Sequence, residues 1–469
     1  HQILFVESER MLTTRTWHIQ RLFFLMSARD HFLQELRDEG FTVTFIQSAN
    51  TEAGINQFRK SNPGVDIEVA EPSSHQQYEQ LQKLGLTFIP NDFFLASRPL
   101  FAQWAGAQKN LVMENFYRAQ RVRLNILMGG GAPVGGKWNY DADNRLPPPK
   151  GPHTWPKYLE HPRDEIDLAV LTDIKARSLP VFGTDPDSTW GTTRAAALKQ
   201  MKHFFDTGFA QFGAYEDAMV ADSWAVNHSL LSPYLNVGLL HAEEVIAAAL
   251  ARYAKGDIPL ASAEGFIRQI LGWREYVRMV YWNKFNEVKS SNFLEHKKTL
   301  PEVFWTGKSK MKCVATCAQN SLDHAYAHHI QRLMVLGNYA LLMESHPDEV
   351  DVWYLGVYVD AIEWVELPNT LGMSQFADGG VMASKPYVAS GKYIDRMSNH
   401  CKGCRFNPAL ATGETACPFT TLYWDYLNRH VDVLAKNPRM LMQLKNLNRL
   451  SPEAREEIAS QANMIKNSV

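Results

Sequence analysis

Three of the five cysteines in this 469-residue chain sit together near its C-terminus, as Cys401-Lys-Gly-Cys404 and then Cys417 ahead of Pro418. Cys313 lies far upstream, and Cys317 follows it four residues on. A lone Cys-x-x-Cys is weak evidence of a metal site. Three cysteines in one short loop shaped by Gly403 and Pro418 are a much stronger sign. With a fourth sulfur from the distant segment they would surround a metal centre and pin the end of the chain onto the middle of the fold. Thiolates suit zinc or an iron–sulfur cluster, and the spacing leaves both open. It also leaves open the fourth ligand, because Cys313 and Cys317 would share one helix face.

The length suggests two domains, perhaps three. With 45% hydrophobic and 21% charged residues, the composition is that of globular material, and 12 Trp and 24 Phe supply bulky core pieces. There is no run of about 18 apolar residues, so a membrane span is not expected. A basic segment followed by an apolar stretch and a cleavage site is also missing, so secretion is not expected. An odd number of cysteines, clustered rather than spread as pairs, fits a reducing cytoplasm. The net charge of −2 argues against a uniformly basic surface but is compatible with one local basic face for nucleic acid. Lys297, Lys298, Lys308, Lys310 and Lys312, with Trp305 among them, form the densest basic stretch. A solvated surface explains it equally well.

Residues 1–128 read as an α/β domain. Ile3–Val6, Thr42–Ile46 and Ile67–Val69 have the apolar, β-branched character of buried parallel strands. A helical pattern over residues 16–38, closed by Gly40, separates the first two. This alternation predicts a doubly wound parallel sheet. The chain enters the first strand at once and begins with His, so either it starts inside a longer protein or the sheet has lost its first strand. Residues 129–190 read as an interdomain linker, glycine-rich at 129–136 and with three prolines at 147–149. Those glycines lack the strand-to-helix setting of a nucleotide loop. From 191 to 469 the pattern is almost wholly helical, with helices expected at 193–206, 235–254, 263–282, 317–345, 350–363, 419–435 and 451–465. An all-α domain of this size can enclose a cofactor.

Several further blocks stand in order: Gly-Gly-Lys137-Trp138-Asn139-Tyr140-Asp141, His228-Ser229-Leu230-Leu231-Ser232, Ala327-His328-His329-Ile330-Gln331-Arg332-Leu333, Glu366-Leu-Pro368-Asn369 through Asp378, and Ser384-Lys385-Pro386-Tyr387. Together with the cysteine pattern they resemble the iron–sulfur bacterial cryptochromes and photolyases, from about residue 16 to the C-terminus. The resemblance implies a [4Fe-4S] cluster on Cys313, Cys401, Cys404 and Cys417, leaving Cys317 a bystander. It also implies a bent FAD in the helical domain. Ser229 and Ser232, ahead of Pro233 at an expected helix start, suit a pyrophosphate, although simple capping explains them too. Leu231, Asn236, Trp273, Arg274, Asn369 and Asp378 are further implied flavin contacts. Arg332 and Asp360 would pair beside the flavin ring, and Glu366 would face its reactive nitrogen, where relatives outside this branch carry Asn.

Adjacent histidines on a helix point in different directions, so at most one of His328 and His329 faces a given pocket. His329 shares a face with Arg332. The resemblance makes it the proton donor to a (6-4) photoproduct that is flipped out of UV-damaged DNA and reduced by light-excited, reduced FAD. Tyr387 and Leu333 match lesion-pocket positions, and Asp141 and Asp217 match acidic residues near the lesion or a Mg2+ ion. Trp305, Trp353 and Tyr354 match an aromatic electron relay, while core packing is the plainer reading. Relatives carry a strand before Ile3 and often hold a 6,7-dimethyl-8-ribityllumazine antenna soon after the next strand. Here that region is Glu7-Ser-Glu9-Arg10-Met11-Leu12-Thr13-Thr14, with no aromatic before Trp17. The expectation is a monomeric cytoplasmic (6-4) DNA photolyase, a light-dependent lyase with no membrane partner. The competing readings are a cryptochrome-like blue-light photoreceptor with the same cofactors and a zinc-stapled helical binding protein.

Overall fold

The computed structural model describes residues 2–468. Its strands are β1 (Gln2–Ser8), β2 (Trp17–His18), β3 (Thr42–Ser48), β4 (Glu68–Ala70), β5 (Thr87–Ile89), β6 (Met128–Gly129), β7 (Ala132–Pro133) and β8 (Val181–Phe182). Among the described residues β1–β3, β2–β8 and β4–β5 pair in parallel, and β6–β7 form a small antiparallel hairpin. Successive residues of β1 face opposite sides. Phe5 meets Phe32 of the helix Ile19–Asp38 edge to face at 6.0 Å, while Val6 lies against Gly54 of the helix Thr51–Ser61. Helices therefore cover both faces, as expected of a doubly wound unit. The strand residues Ile3 to Val6 are half-buried rather than buried, because each ladder is only two strands wide and leaves an edge.

Beyond residue 190 the chain is helical, as the pattern predicts, but its helices are shorter. The stretch 235–254 divides into Ser232–Val237 and Ala242–Ala254, because Gly238 adopts φ +81° and ends the first helix. The stretch 317–345 divides where Ala325 turns left-handed after the helix Lys312–His324. Three seven-residue π-helical segments follow: Arg268–Arg274, Gln331–Gly337 and Pro368–Ser374. Among the described residues no helix is long and apolar enough to cross a membrane.

The segment expected to be a linker is partly ordered. Its helix Glu165–Ala176 packs Val170 and Ile174 against Ile19, Leu22, Phe23 and Met26, and β8 pairs with β2. The principal core crosses the expected boundary at residue 128. Phe24, Phe101, Phe116 and Tyr117 join it with Phe266, Tyr276, Leu336 and Trp353 from the helical part. A fully buried aromatic of this kind stabilises the fold by ~1.5–3 kcal/mol.

Candidate functional site

Arg332 is the organising cation of the helical part. It lies in the π-helical segment Gln331–Gly337, its Nε donates to the Ala327 carbonyl at 2.6 Å, and its Nη2 donates to both Asp360 oxygens at 3.0 and 3.2 Å. Asp360 in turn accepts from the Ser232 hydroxyl at 2.6 Å, and its backbone carbonyl accepts from Asn236 at 2.7 Å. Three other expected flavin residues, Arg332, Ser232 and Asn236, thus converge on Asp360, the first two on its carboxylate and the third on its backbone carbonyl. The guanidinium also lies over the Tyr358 ring at 3.8 Å. Burial alone would disfavour its charge, but Asp360, Tyr358 and Glu366 push its pKa above the ordinary arginine value.

Glu366 stands 3.7 Å from Arg332, too far for a hydrogen bond. Its Oε1 is buried with no partner. Burial raises the carboxyl pKa to about 8 and Asp360 and Asp351 act in the same direction, against the lowering by Arg332 and Arg21. At neutral pH the group is mostly a neutral acid able to donate a hydrogen bond. Other expected flavin residues are held by local contacts. Asn369 donates to the Val365 carbonyl at 2.8 Å, Asp378 accepts from the N–H groups of Gly380 and Met382, and Ser229 accepts from the Leu231 N–H. Arg274 pairs with Glu275 at 3.1 Å and lies over Phe94, and Trp273 packs near Tyr276. Arg274 Nε and the Tyr276 hydroxyl are buried without partners. Orphaned donors and a neutral acid are what a polar, aromatic heterocycle would satisfy, so these residues fit FAD.

The two histidines part as the helix geometry requires. His328 is fully buried, stacks on His228 with centroids 4.6 Å apart, and has neither ring nitrogen partnered. His329 is exposed. Crowding by protein, with Arg332 and Arg145 nearby, lowers its pKa to about 4. On the Arg145 side, Asp141 (3.3 Å), Glu216 (3.2 Å) and Asp217 (3.9 Å) converge on one guanidinium. Arg268 pairs with Asp141 as well. Burial lifts Glu216 to about 7 despite Arg145 and Arg268. Tyr387 is half-buried, and burial raises its hydroxyl pKa with Asp141 and Asp217 acting in the same direction and Arg145 against them, while Leu333 is buried. Arg145 and Glu216 were not singled out from the sequence. The only signal was the density of functional groups in residues 137–145, where Arg145 adopts φ +64°.

Of the three expected relay residues, Trp353 and Tyr354 are in edge-to-face contact, while Trp305 packs on Phe182 at 5.2 Å. Trp353 meets Tyr354 at 5.4 Å and Phe304 at 5.0 Å, and Phe304 precedes Trp305, which is 45% exposed. Tyr354 donates its hydroxyl to the Arg332 carbonyl at 2.7 Å, which ties this chain to the Arg332 centre.

Cys313, Cys401, Cys404 and Cys417 line one cavity with Met311, Gly391, Ile394, His400, Phe406 and Phe419. Cys317 is buried on the same helix but is not part of this lining. A Cβ at Gly391 would come within 2.7 Å of Cys417 Sγ, so the cavity wall depends on glycine there. Burial and the neighbouring sulfurs raise the Cys313 thiol, and burial lifts Cys401 to about 12, so a positively charged centre is needed to hold these groups as thiolates.

Near the N-terminus, Glu7 is buried. Its carboxylate accepts from Arg177 at 2.7 Å and Gln47 at 3.1 Å and pairs with Arg29. Lys298, in the basic stretch, donates to the Lys466 carbonyl at 3.2 Å and to Asn467, and so fastens the C-terminal helix.

Comparison with known proteins adds an independent line. The family described as deoxyribodipyrimidine photo-lyase-related protein matches residues 1–190. The chain is 41% identical over 457 residues to the (6-4) photolyase of Agrobacterium fabrum (strain C58), spanning 95% of this chain and 90% of that one. An uncharacterized protein, R853, of Acanthamoeba polyphaga mimivirus is 35% identical over 111 residues, 24% of this chain and 84% of that protein. In fold, the chain is similar to a crystal structure of a bacterial class III photolyase from Agrobacterium tumefaciens, with a TM-score of 0.57 at 15% identity, over 100% of this chain and 92% of that one. Such identity over nearly the whole length places the chain: it belongs to the photolyase family, alongside the (6-4) photolyase of Agrobacterium fabrum.

Proposed function

We propose that this protein is a light-driven DNA repair enzyme that restores (6-4) photoproducts in UV-damaged DNA, in keeping with its similarity to the (6-4) photolyase of Agrobacterium fabrum. The observation that carries the reading is the placement of His329. It is the accessible member of the histidine pair, set between the Arg332–Asp360 centre and the Arg145 carboxylate cluster. When bound, FAD would supply a photoexcited electron and take it back as the normal bases re-form. Arg332, Asp360, Ser232 and Asn236 would hold it, Glu366 would donate a hydrogen bond to it, and Ser229, Leu231, Trp273, Arg274, Asn369 and Asp378 would complete its surroundings.

His329 would then pass a proton from its imidazolium to the lesion and recover it when the normal bases re-form, so the protein ends the cycle unchanged. Tyr387 and Leu333 would shape the lesion pocket, and His328 would buttress His329 from the core. Flipping a damaged base costs less than flipping an intact one, which favours the lesion without a strongly basic surface. Tyr354, Trp353 and Trp305 would conduct electrons inward from the surface. The cysteine cavity would hold a [4Fe-4S] cluster. A single zinc ion with Zn–S bonds of ~2.3 Å would draw its sulfurs to within about 4 Å of one another. Among the described residues no three of these sulfurs lie within 4.8 Å of one another, which favours the larger centre.

Two expected groups find weaker support. Arg145 already supplies the positive charge among Asp141, Glu216 and Asp217, so a Mg2+ ion there would have to share or displace it. In the segment where relatives hold a lumazine antenna, Glu7 is already engaged by Arg29, Arg177 and Gln47. The proposed organisation remains an α/β unit to residue 128, a connecting region to 190 and a helical cofactor unit to 469. The deciding experiment is illumination of the purified protein with (6-4)-containing DNA. Restored bases are expected, and intact lesions beside normal flavin photoreduction would leave a photoreceptor instead.

A further inference from the structure

His400 immediately precedes Cys401 and opens the short turn His400–Gly403. Its side chain is completely buried, and neither ring nitrogen has a hydrogen-bond partner in the protein. A buried imidazole N–H without an acceptor is costly, so its retention calls for an acceptor that the polypeptide does not provide. His400 lines the same cavity as the four thiols. The other lining residues are Met311, Gly391, Ile394, Phe406 and Phe419, so His400 is the one conventional hydrogen-bond donor among the non-cysteine side chains there.

Resting on the reading of this cavity as an iron–sulfur site, we propose that His400 is a positioning residue that donates its ring N–H to a sulfur of the cluster and raises the cluster's reduction potential. Four thiols already match the four irons of such a centre, which leaves the imidazole the role of donor rather than ligand. A hydrogen bond to sulfur stabilises the more negative, reduced form, and such bonds are among the determinants of iron–sulfur potentials. The residue would thus adjust the ease of reducing a centre that the cysteines hold in place.

The test is a redox titration of the purified holoprotein followed by electron paramagnetic resonance. Iron and acid-labile sulfide are measured first, and protein without about four irons per chain would overturn the cluster reading and this proposal together. With the cluster present, His400→Phe should keep its iron and disfavour reduction about tenfold, a shift of 59 mV to lower potential for one electron. His400→Gln, which retains an N–H donor, should recover most of the shift. An unchanged potential in His400→Phe, or equal shifts in both variants, would overturn the donor role. Loss of iron from both would overturn it by making His400 a ligand. Pulsed resonance on wild-type protein carrying nitrogen-15 histidine needs no variant to fold. Weak coupling to one histidine nitrogen is expected, while no coupling, or the strong coupling of direct ligation, would contradict the proposal.

Discussion

The protonation of His329 sets the conditions under which repair can run. Crowding by the surrounding protein, with Arg332 and Arg145 nearby, holds its pKa at about 4, so the free protein carries a neutral imidazole at pH 7. DNA phosphates oppose those cations, and binding of damaged DNA should raise the pKa and charge the ring. Repair yield should therefore fall as pH rises through the bound-state pKa, while flavin photoreduction stays level; a yield that climbs with pH would contradict the assignment. His329→Ala should lower repair by ~10²-fold or more and leave photoreduction intact, as measured by photoproduct loss under fixed illumination. Glu366 makes the opposite kind of residue. Its folded pKa of about 8 exceeds the ordinary 4.5, so the folded state holds the proton more tightly than the unfolded one. The stability this contributes is full below about 4.5 and is lost as pH rises through about 8. Glu366→Gln should flatten that slope in denaturation midpoints taken across pH 5–9.

At the scale of elements, the three π-helical segments are where the sequence reading and the structure part most clearly. Each holds residues of the proposed flavin site: Trp273 and Arg274, Arg332, and Asn369. A π-turn admits an extra residue and redirects the side chains that follow, and such segments recur at functional sites. A 3.6-residue pattern registers only helix, so it predicts continuous helices over 263–282 and 317–345 and cannot show the widened turns. Two of these segments meet at Gly337. A side chain there would overlap the Ser374 hydroxyl and come within 2.8 Å of the Arg332 carbonyl. Gly337→Ala is expected to cost ~1–3 kcal/mol of stability and to weaken flavin retention, measurable by urea denaturation and by flavin content after gel filtration.

For the whole molecule, the C-terminal segment is held twice. The cysteine cavity joins the turn at Cys401 and Cys404 to the helix Lys312–His324, and the final helix Pro452–Asn467 sets Lys466 into a buried ionic cluster. Lys466 donates to Asp425 at 2.9 Å and Glu344 at 2.6 Å, and Arg429 pairs with both acids. Lys466→Ala leaves those acids with one cation fewer and should destabilise the protein by ~3–5 kcal/mol in chemical denaturation. The sequence by itself determined the α/β start, the helical remainder and the residue types of each proposed site, because local periodicity and short motifs record which faces are buried and which groups are spaced for ligation. Only the tertiary structure decided that Cys313 rather than Cys317 lines the cavity, that His328 is buried while His329 is open, and that Arg145 gathers Asp141, Glu216 and Asp217. Each of these depends on how distant segments approach one another and on how far a helix is rotated. A change of one residue in helical phase turns a side chain by about 100°, and only packing fixes that angle.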